Sequence, residues 1–383
     1  MNDKNIPLKY FSDYFFENIS CGYPNQIQIT SLCNAKCIFC SNEQNPFKIE
    51  RYKFRDLSEI KKVIWANDFM DGDIALNESL PGRISEGEAF LHPQFFDILY
   101  EIRKKFLNNI IISTNGSLLT EKFITELSKY NPINITISLP SINKSNWMET
   151  FRLSEENFNN AFNSFDLLRR YNIGLRASMV PMPSWFGWDD IENTISFLSQ
   201  KISNIIIYSP GFTRHTDKEV IDKLVFDKRE MADFLDLMSI KYKIAIDWTL
   251  HPDIALEDID INIFKNLLLS TYERKHKSLW LTSEASYDRF KILMSEISKG
   301  IPADYDILKI NNHTYGGNIE CSGLWTLDDI RRDLNELLTT YKPDVIFMNG
   351  NFLDKYGFDL LGNNIVDFID EYHDIYFHVF KKV

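Results

Sequence analysis

Residues 25–42 read NQIQITSLCNAKCIFCSN, and the rest of the chain is read outward from them. The first half, Asn25–Ser31, alternates polar with β-branched side chains, the period-2 pattern of a strand. The second half is a polar loop carrying Cys33, Cys37 and Cys40 in the spacing Cys-x3-Cys-x2-Cys. Three thiolates this close can grip one metal or one cluster, and the end of a strand is where a parallel α/β fold presents its chemistry. A closed structural zinc site takes four ligands, usually as two separated pairs. Here no paired cysteine or near histidine supplies the second half: Cys21 lies on the far side of the strand and Cys321 is remote. A [4Fe–4S] cluster on three cysteines instead leaves one iron open to a substrate or cofactor, and spacing with context favours the cluster over zinc.

Further along, β-type runs alternate with helical ones, which predicts parallel strands joined by helical crossovers. The strand candidates are Asn25–Ser31, Gly82–Ser85, Asn109–Thr114, Asn134–Leu139, Ile173–Val180 and Asn204–Ser209. Helical stretches fall at Asp56–Ala66, Pro93–Phe106, Thr120–Tyr130, Ser154–Tyr171 and Asp189–Gln200. In the clearest, Ser154 can cap while Phe158, Phe162, Phe165 and Leu168 make one apolar face, read as core. The expected fold class is α/β, a partial (β/α)6 barrel of TIM type with a C-terminal α/β extension. Beyond Ser209 the pattern predicts a loop over Pro210–Asp227, a helix over Lys228–Lys241 and a short strand over Lys243–Trp248. Further strands are expected at Ser278–Ser283, Asp306–Asn311, Asn318–Ser322 and Asp344–Met348, with a helix over Leu327–Thr340. The expected organisation is an N-terminal extension (1–24), the barrel (25–248) and a C-terminal α/β domain (249–383) covering the barrel mouth.

The cysteine spacing, with the aromatic Phe39 just before the third cysteine, resembles the signature of the radical S-adenosylmethionine (radical SAM) enzymes. The resemblance runs from about Gln26 to Ser209. Ser85-Glu86-Gly87-Glu88-Ala89 sits where that family has Gly-Gly-Glu-Pro after the second strand. Ser113-Thr114-Asn115-Gly116 ends the third strand, Ser138 the fourth, and Arg176 lies on the fifth. The resemblance implies a [4Fe–4S] cluster on Cys33, Cys37 and Cys40, and S-adenosylmethionine chelated at the open iron. One electron then breaks the sulfur–carbon bond, and the resulting 5′-deoxyadenosyl radical abstracts a hydrogen atom from a substrate. It further implies that Gly87 lies against the methionine amino group and Glu88 supports that loop. Ser113 and Ser138 hydrogen-bond methionine or ribose, Arg176 holds the methionine carboxylate, and Phe39 flanks the adenine. Glu86 and Ala89 depart from the family pattern, so this loop is expected to be shaped differently.

The composition agrees with such an enzyme. With 383 residues, 42 Lys+Arg against 54 Asp+Glu and a formal charge of −12, no nucleic-acid partner is expected. With no secretory signal and no long apolar span, a cytoplasmic protein without a membrane partner is expected. After Cys40 only Cys321 remains, too few for an auxiliary cluster, so a single cluster is expected. Cys321 reads either as a small buried hydrophobe on a strand or as a hydrogen-atom donor to a substrate radical. The segment Gly316–Ile330 weakly resembles an uncharacterised radical SAM subgroup, which carries no reaction with it. Asn77, Arg83, His92, Arg152, Arg214, His215, Asn312 and His313 are candidates around the mouth, where Arg and His suit an anionic substrate. The leading expectation is an oxidoreductase or lyase acting on a sugar, nucleotide or amino-acid derivative and served by a reductant such as flavodoxin or ferredoxin. Alternatives are a ribosomal-peptide maturase, for which no leader-binding module is expected ahead of the first strand, and a non-catalytic Fe–S carrier or sensor.

Overall fold

The computed structural model describes residues 26–45, 53–66, 72–76, 87–248, 261–350, 352–353 and 357–380. They fall into two compact units, one holding the described residues from 26 to 248 and the other those from 261 onward.

The first unit is an open, all-parallel sheet of seven strands in chain order, β1 to β7. They are β1 (Gln26–Ile27), β2 (Ile74–Leu76), β3 (Ile110–Thr114), β4 (Ile133–Ser138), β5 (Gly174–Met179), β6 (Asn204–Ile207) and β7 (Ala245–Trp248). Consecutive parallel neighbours joined by helices are the wall of a partial TIM-type barrel, as expected. The side chains alternate. Ile110 and Ile112 of β3, Ile133, Ile135 and Ile137 of β4, and Ile205 and Ile207 of β6 are at most 2% exposed and pack in the core shared with the helices. Each contributes roughly 1.5–3 kcal/mol relative to an exposed position. The opposite face carries polar side chains alongside Ile111 and Ile206, and the register orders them into rows: Ser113 lies beside Thr136 and Thr136 beside Arg176, while Ser138 lies beside Ser178 one step further along. The helix Glu155–Arg170 forms as its sequence predicts: Ser154 and Asn157 make a reciprocal capping box, and Phe158, Phe165 and Leu168 are buried. Phe162 is partly buried and stacks on Phe197 at 4.9 Å.

The second unit is a four-stranded parallel sheet ordered β11-β10-β8-β9, formed by β8 (Ser278–Ser283), β9 (Tyr305–Ile310), β10 (Val345–Asn349) and β11 (Tyr376–Phe380). Every residue of β8 is buried, because both faces are covered. Trp280 and Phe347 stack at 4.1 Å on one face, in a core with Phe264, Leu293 and Met294. Leu279, Leu281, Ile346 and Met348 meet Ile330, Leu334, Ile365 and Phe368 on the other.

Several expectations are corrected. The strand described before the Gly87 loop is Ile74–Leu76, a continuously buried Ile-Ala-Leu run, as a strand covered on both faces takes; Gly82–Ser85 lies outside the described residues. Pro210–Asp227 holds a helix, Lys218–Leu224. Asn318–Ser322 is no strand: the chain turns there and enters a short 3-10 turn at Ser322–Leu324, with Cys321 at its start. The helices Lys144–Phe151 and Ile365–Asp370, and strand β11, were not anticipated.

Candidate active site

The cysteine loop leaves β1 and is fixed by its backbone. Lys36 N donates to Phe151 O at 2.9 Å, Ile38 N to Thr150 O at 3.0 Å, and Cys40 N to Cys37 O at 3.1 Å. Ile38 is buried against Met182 and Leu224, which pins the loop between Cys37 and Cys40. Beyond the loop, Gln44 donates to Gly211 O at 3.0 Å and its oxygen accepts from Thr213 N at 3.2 Å and Thr216 Oγ1 at 2.8 Å. The turn after β6 is thereby tied to the cysteine loop. Phe39 is partly buried and meets the edge of Phe151 at 6.3 Å.

The Gly87–Glu88 segment lies against this loop. Glu88 N donates to Leu32 O at 2.8 Å, and a Cβ built on Gly87 would stand 2.4 Å from the same oxygen, so only glycine fits. Glu88 is 3% exposed; Thr114 Oγ1 donates to its Oε1 at 2.9 Å and Asn115 N to its Oε2 at 3.0 Å. Burial pushes its carboxyl up to about 7 against the pull of those donors. Glu88 therefore bolts the end of β3 to the loop preceding it.

Burial works against ionisation of Cys33 and Cys37 in the metal-free protein. Desolvation first and Glu88 second push Cys33 up to about 12, and desolvation with Cys40 and Cys33 nearby raises Cys37 well above its ordinary value. Thiolate ligation would displace those protons. Among the described residues no three His, Cys, Asp or Glu side chains are placed to share one metal ion. Yet the three thiols are near enough to raise one another's pKa. Three thiols on one short loop are a donor set that would suit a [4Fe–4S] cluster, whereas a closed structural zinc site takes a fourth ligand.

The structure places Ser113, Ser138 and Arg176 on the same polar sheet face, Ser113 and Arg176 flanking Thr136 in one row. Ser138 Oγ and Ser178 Oγ share a hydrogen bond at 3.1 Å. Asn204 and Asp247 share the same parity: the register runs from Ser178 through Ile206 to Asp247, whose Oδ2 accepts from Asn204 Nδ2 at 3.3 Å. Thr136, Ser178, Asn204 and Asp247 were missed in the sequence, where the only usable signal was strand parity. Asn34 and Asn115 were also missed as partners: Asn115 Nδ2 donates to Asn34 Oδ1 at 2.9 Å.

Other candidates are otherwise engaged. His92 is 3% exposed, its Nε2 meets Arg55 O at 2.9 Å and its Nδ1 accepts from Gln94 N, so it is structural. Arg152 ends a helix in the left-handed conformation at φ 54°. Arg214 donates to His215 at 3.0 Å on an exposed turn. Asn312 and His313 belong to the second unit, where Asn312 donates to Leu324 O at 2.8 Å and His313 meets Asp333 at 2.5 Å. Cys321 is half-buried and in no disulfide. Asn77 and Arg83 lie outside the described residues.

Comparison with known proteins adds the family. Residues 27–198 match the Radical SAM superfamily. AlbA, the antilisterial bacteriocin subtilosin biosynthesis protein of Bacillus subtilis, is 27% identical over 153 residues, which are 40% of this chain and 32% of that protein. The GTP 3′,8-cyclase of Clostridium perfringens is 22% identical over 216 residues, 54% of this chain and 64% of that one. The chain thus matches less than two thirds of either relative's length. SuiB of Streptococcus suis bound to S-adenosylmethionine has a TM-score of 0.45 at 12% identity, over 60% of this chain and 50% of SuiB. Among the described residues no helix is long and apolar enough to cross a membrane. Residues 27–198 thus carry a domain that matches the Radical SAM superfamily, and the cofactors that go with such a domain are a [4Fe–4S] cluster and S-adenosylmethionine.

Proposed function

We propose that the protein is a radical SAM oxidoreductase or lyase that acts on a polar small molecule. The observation that carries this reading is a loop of three thiols locked, through Leu32, onto the Gly87–Glu88 backbone beside a polar strand face. Cys33, Cys37 and Cys40 are the proposed cluster ligands. When bound, the cofactors supply one electron to a sulfonium, whose cleavage gives methionine and a 5′-deoxyadenosyl radical that takes a hydrogen atom from the substrate.

The protein's own part is to hold and to exclude. Gly87 leaves room for a backbone contact with the methionine amino group, and Glu88 fixes that backbone. Arg176 suits the methionine carboxylate, because a guanidinium grips a carboxylate through two parallel hydrogen bonds. Ser113 and Ser138 offer hydroxyls in adjacent rows for methionine or ribose, and Phe39 offers a flat apolar face for adenine. Thr136, Ser178, Asn204 and Asp247 extend the same face with donors and acceptors, which supports a sugar, nucleotide or amino-acid derivative over an apolar substrate. A low-potential donor such as flavodoxin or ferredoxin would deliver the electron.

A second reading, maturation of a ribosomal peptide, is supported by the 27% identity to a bacteriocin biosynthesis protein. One experiment addresses both. Anaerobically reconstituted, dithionite-reduced protein is incubated with S-adenosylmethionine and either a metabolite extract or a precursor peptide. Release of 5′-deoxyadenosine is expected, stimulated by the metabolite fraction and abolished in the Cys33→Ala, Cys37→Ala and Cys40→Ala variants. Stimulation by the peptide alone favours the second reading, and binding without cleavage under every condition marks an iron–sulfur carrier or sensor.

A further inference from the structure

Asn115 closes the turn that follows β3, and its backbone N–H and both polar atoms of its side chain are committed. Its N–H donates to Glu88 Oε2 at 3.0 Å, and its Oδ1 accepts from Ser117 N at 2.9 Å. Its Nδ2 donates to Asn34 Oδ1 at 2.9 Å and also reaches Cys33 Sγ at 4.0 Å. An amide nitrogen carries two hydrogens, so both contacts coexist. The network also fixes which way the amide faces. Ser117 N is a backbone donor and must meet an oxygen, so the atom on the side of Asn34 and Cys33 is the nitrogen. Asn34 is oriented in turn, because its own Nδ2 donates to Ser117 Oγ at 2.9 Å. Asn115 is 7% exposed and Glu88 beside it 3%, whereas Cys33 itself is exposed, so the amide approaches the sulfur from the buried side.

We propose that Asn115 is a positioning residue that raises the reduction potential of the cluster by donating an N–H···S hydrogen bond to the Cys33 thiolate. The proposal rests on the reading that Cys33 ligates the cluster. One electron passes from the reductant to the oxidised cluster, and no proton moves. The added negative charge spreads over the sulfurs, so a donor aimed at one of them stabilises the reduced state more than the oxidised one. Asn115 thereby biases the cluster toward the state that can give its electron to the sulfonium. Asn34 and Ser117 act through Asn115 by holding its amide in place.

The test is a potentiometric titration of the reconstituted full-length protein, followed by electron paramagnetic resonance, with iron content and circular dichroism measured alongside. Asn115→Asp keeps the oxygen that accepts from Ser117 but replaces the donor with an acceptor; Asn115→Ala removes both. Each is expected to lower the ratio of reduced to oxidised cluster at a fixed potential about tenfold, a fall of about 59 mV for one electron. Asn34→Ala, which frees the amide without removing it, should shift in the same direction by less, and it decides the matter if the Asn115 variants do not fold. A natively folded, iron-loaded variant with unchanged potential overturns the proposal, as does a folded Asn115→Ala protein that no longer assembles the cluster. Wild-type protein that takes up no iron ends the functional reading itself, whereas wild type that cleaves S-adenosylmethionine beside unshifted variants ends only the role of Asn115.

Discussion

At the scale of single residues, Gly87 is the most constrained position in the site. A Cβ there would stand 2.4 Å from Leu32 O and 2.6 Å from Ser31 C, both backbone atoms, so Gly87→Ala must displace the loop. The variant is expected to keep its iron but to lose about a hundredfold in 5′-deoxyadenosine formation, since a displacement of about 1 Å at a reacting centre costs that much. Native turnover with normal iron content would remove Gly87 from the site. Glu88 gives a pH signature. Its folded-state pKa of about 7 lies above the ordinary carboxyl value of 4.5, so the folded protein binds the extra proton between those values. Stability of the metal-free protein is therefore expected to fall as pH rises through that window, and Glu88→Gln, neutral throughout, should flatten the slope in urea melts at successive pH values. Cys321→Ala is expected to change neither S-adenosylmethionine consumption nor product formation. Loss of product with consumption intact would instead assign Cys321 as a hydrogen-atom donor. The cysteines, Gly87 and Glu88 were legible in the sequence because their chemistry is tied to residue type and spacing. Asn115 as a partner of Cys33 was not, because 82 residues separate the pair.

At the scale of elements, helix Leu327–Leu337 shows how local signals and distant ones combine. Thr326 and Asp329 form a reciprocal capping box, legible as Thr-x-x-Asp ahead of an apolar run. The same helix start is also held from afar: Asp359, fully buried, accepts from Leu327 N at 2.8 Å, and from Leu361 N at 2.9 Å and Asn363 N at 2.8 Å. Asp359→Ala would strand these donors in the interior, and a loss of about 3 kcal/mol is expected in the urea unfolding of the second unit. A change below about 0.5 kcal/mol would show that water replaces the carboxylate. Helices such as Glu155–Arg170 and Lys228–Tyr242 were legible from caps and apolar faces, whereas Ile261–Glu273 and Tyr287–Ile297 were not anticipated. Helix Lys218–Leu224 was not, because a segment that short gains its order from packing Leu224 beside Ile38 and Met182.

At the scale of the whole molecule, the chain holds two units, each with its own core, and Cys33, Cys37 and Cys40 all fall in the first of them. Cluster binding stabilises the fold that presents the thiols and has no ligand set in the other unit. Removing the iron with a chelator is therefore expected to speed hydrogen exchange across β1, β3 and the loop between Leu32 and Gln44, while β8 and β10 keep their protection. Equal loosening of both units would contradict this. The sequence by itself determined the kind of fold, the thiol loop and the resemblance to a family, because strand alternation, helix caps and cysteine spacing are properties of neighbouring residues. The tertiary structure alone decided that β2 is Ile74–Leu76, that Ser113, Thr136 and Arg176 share a row, and that Asn115 meets Cys33. Those facts depend on strand register and on contacts between distant segments, which arise only when the sheet closes its hydrogen bonds.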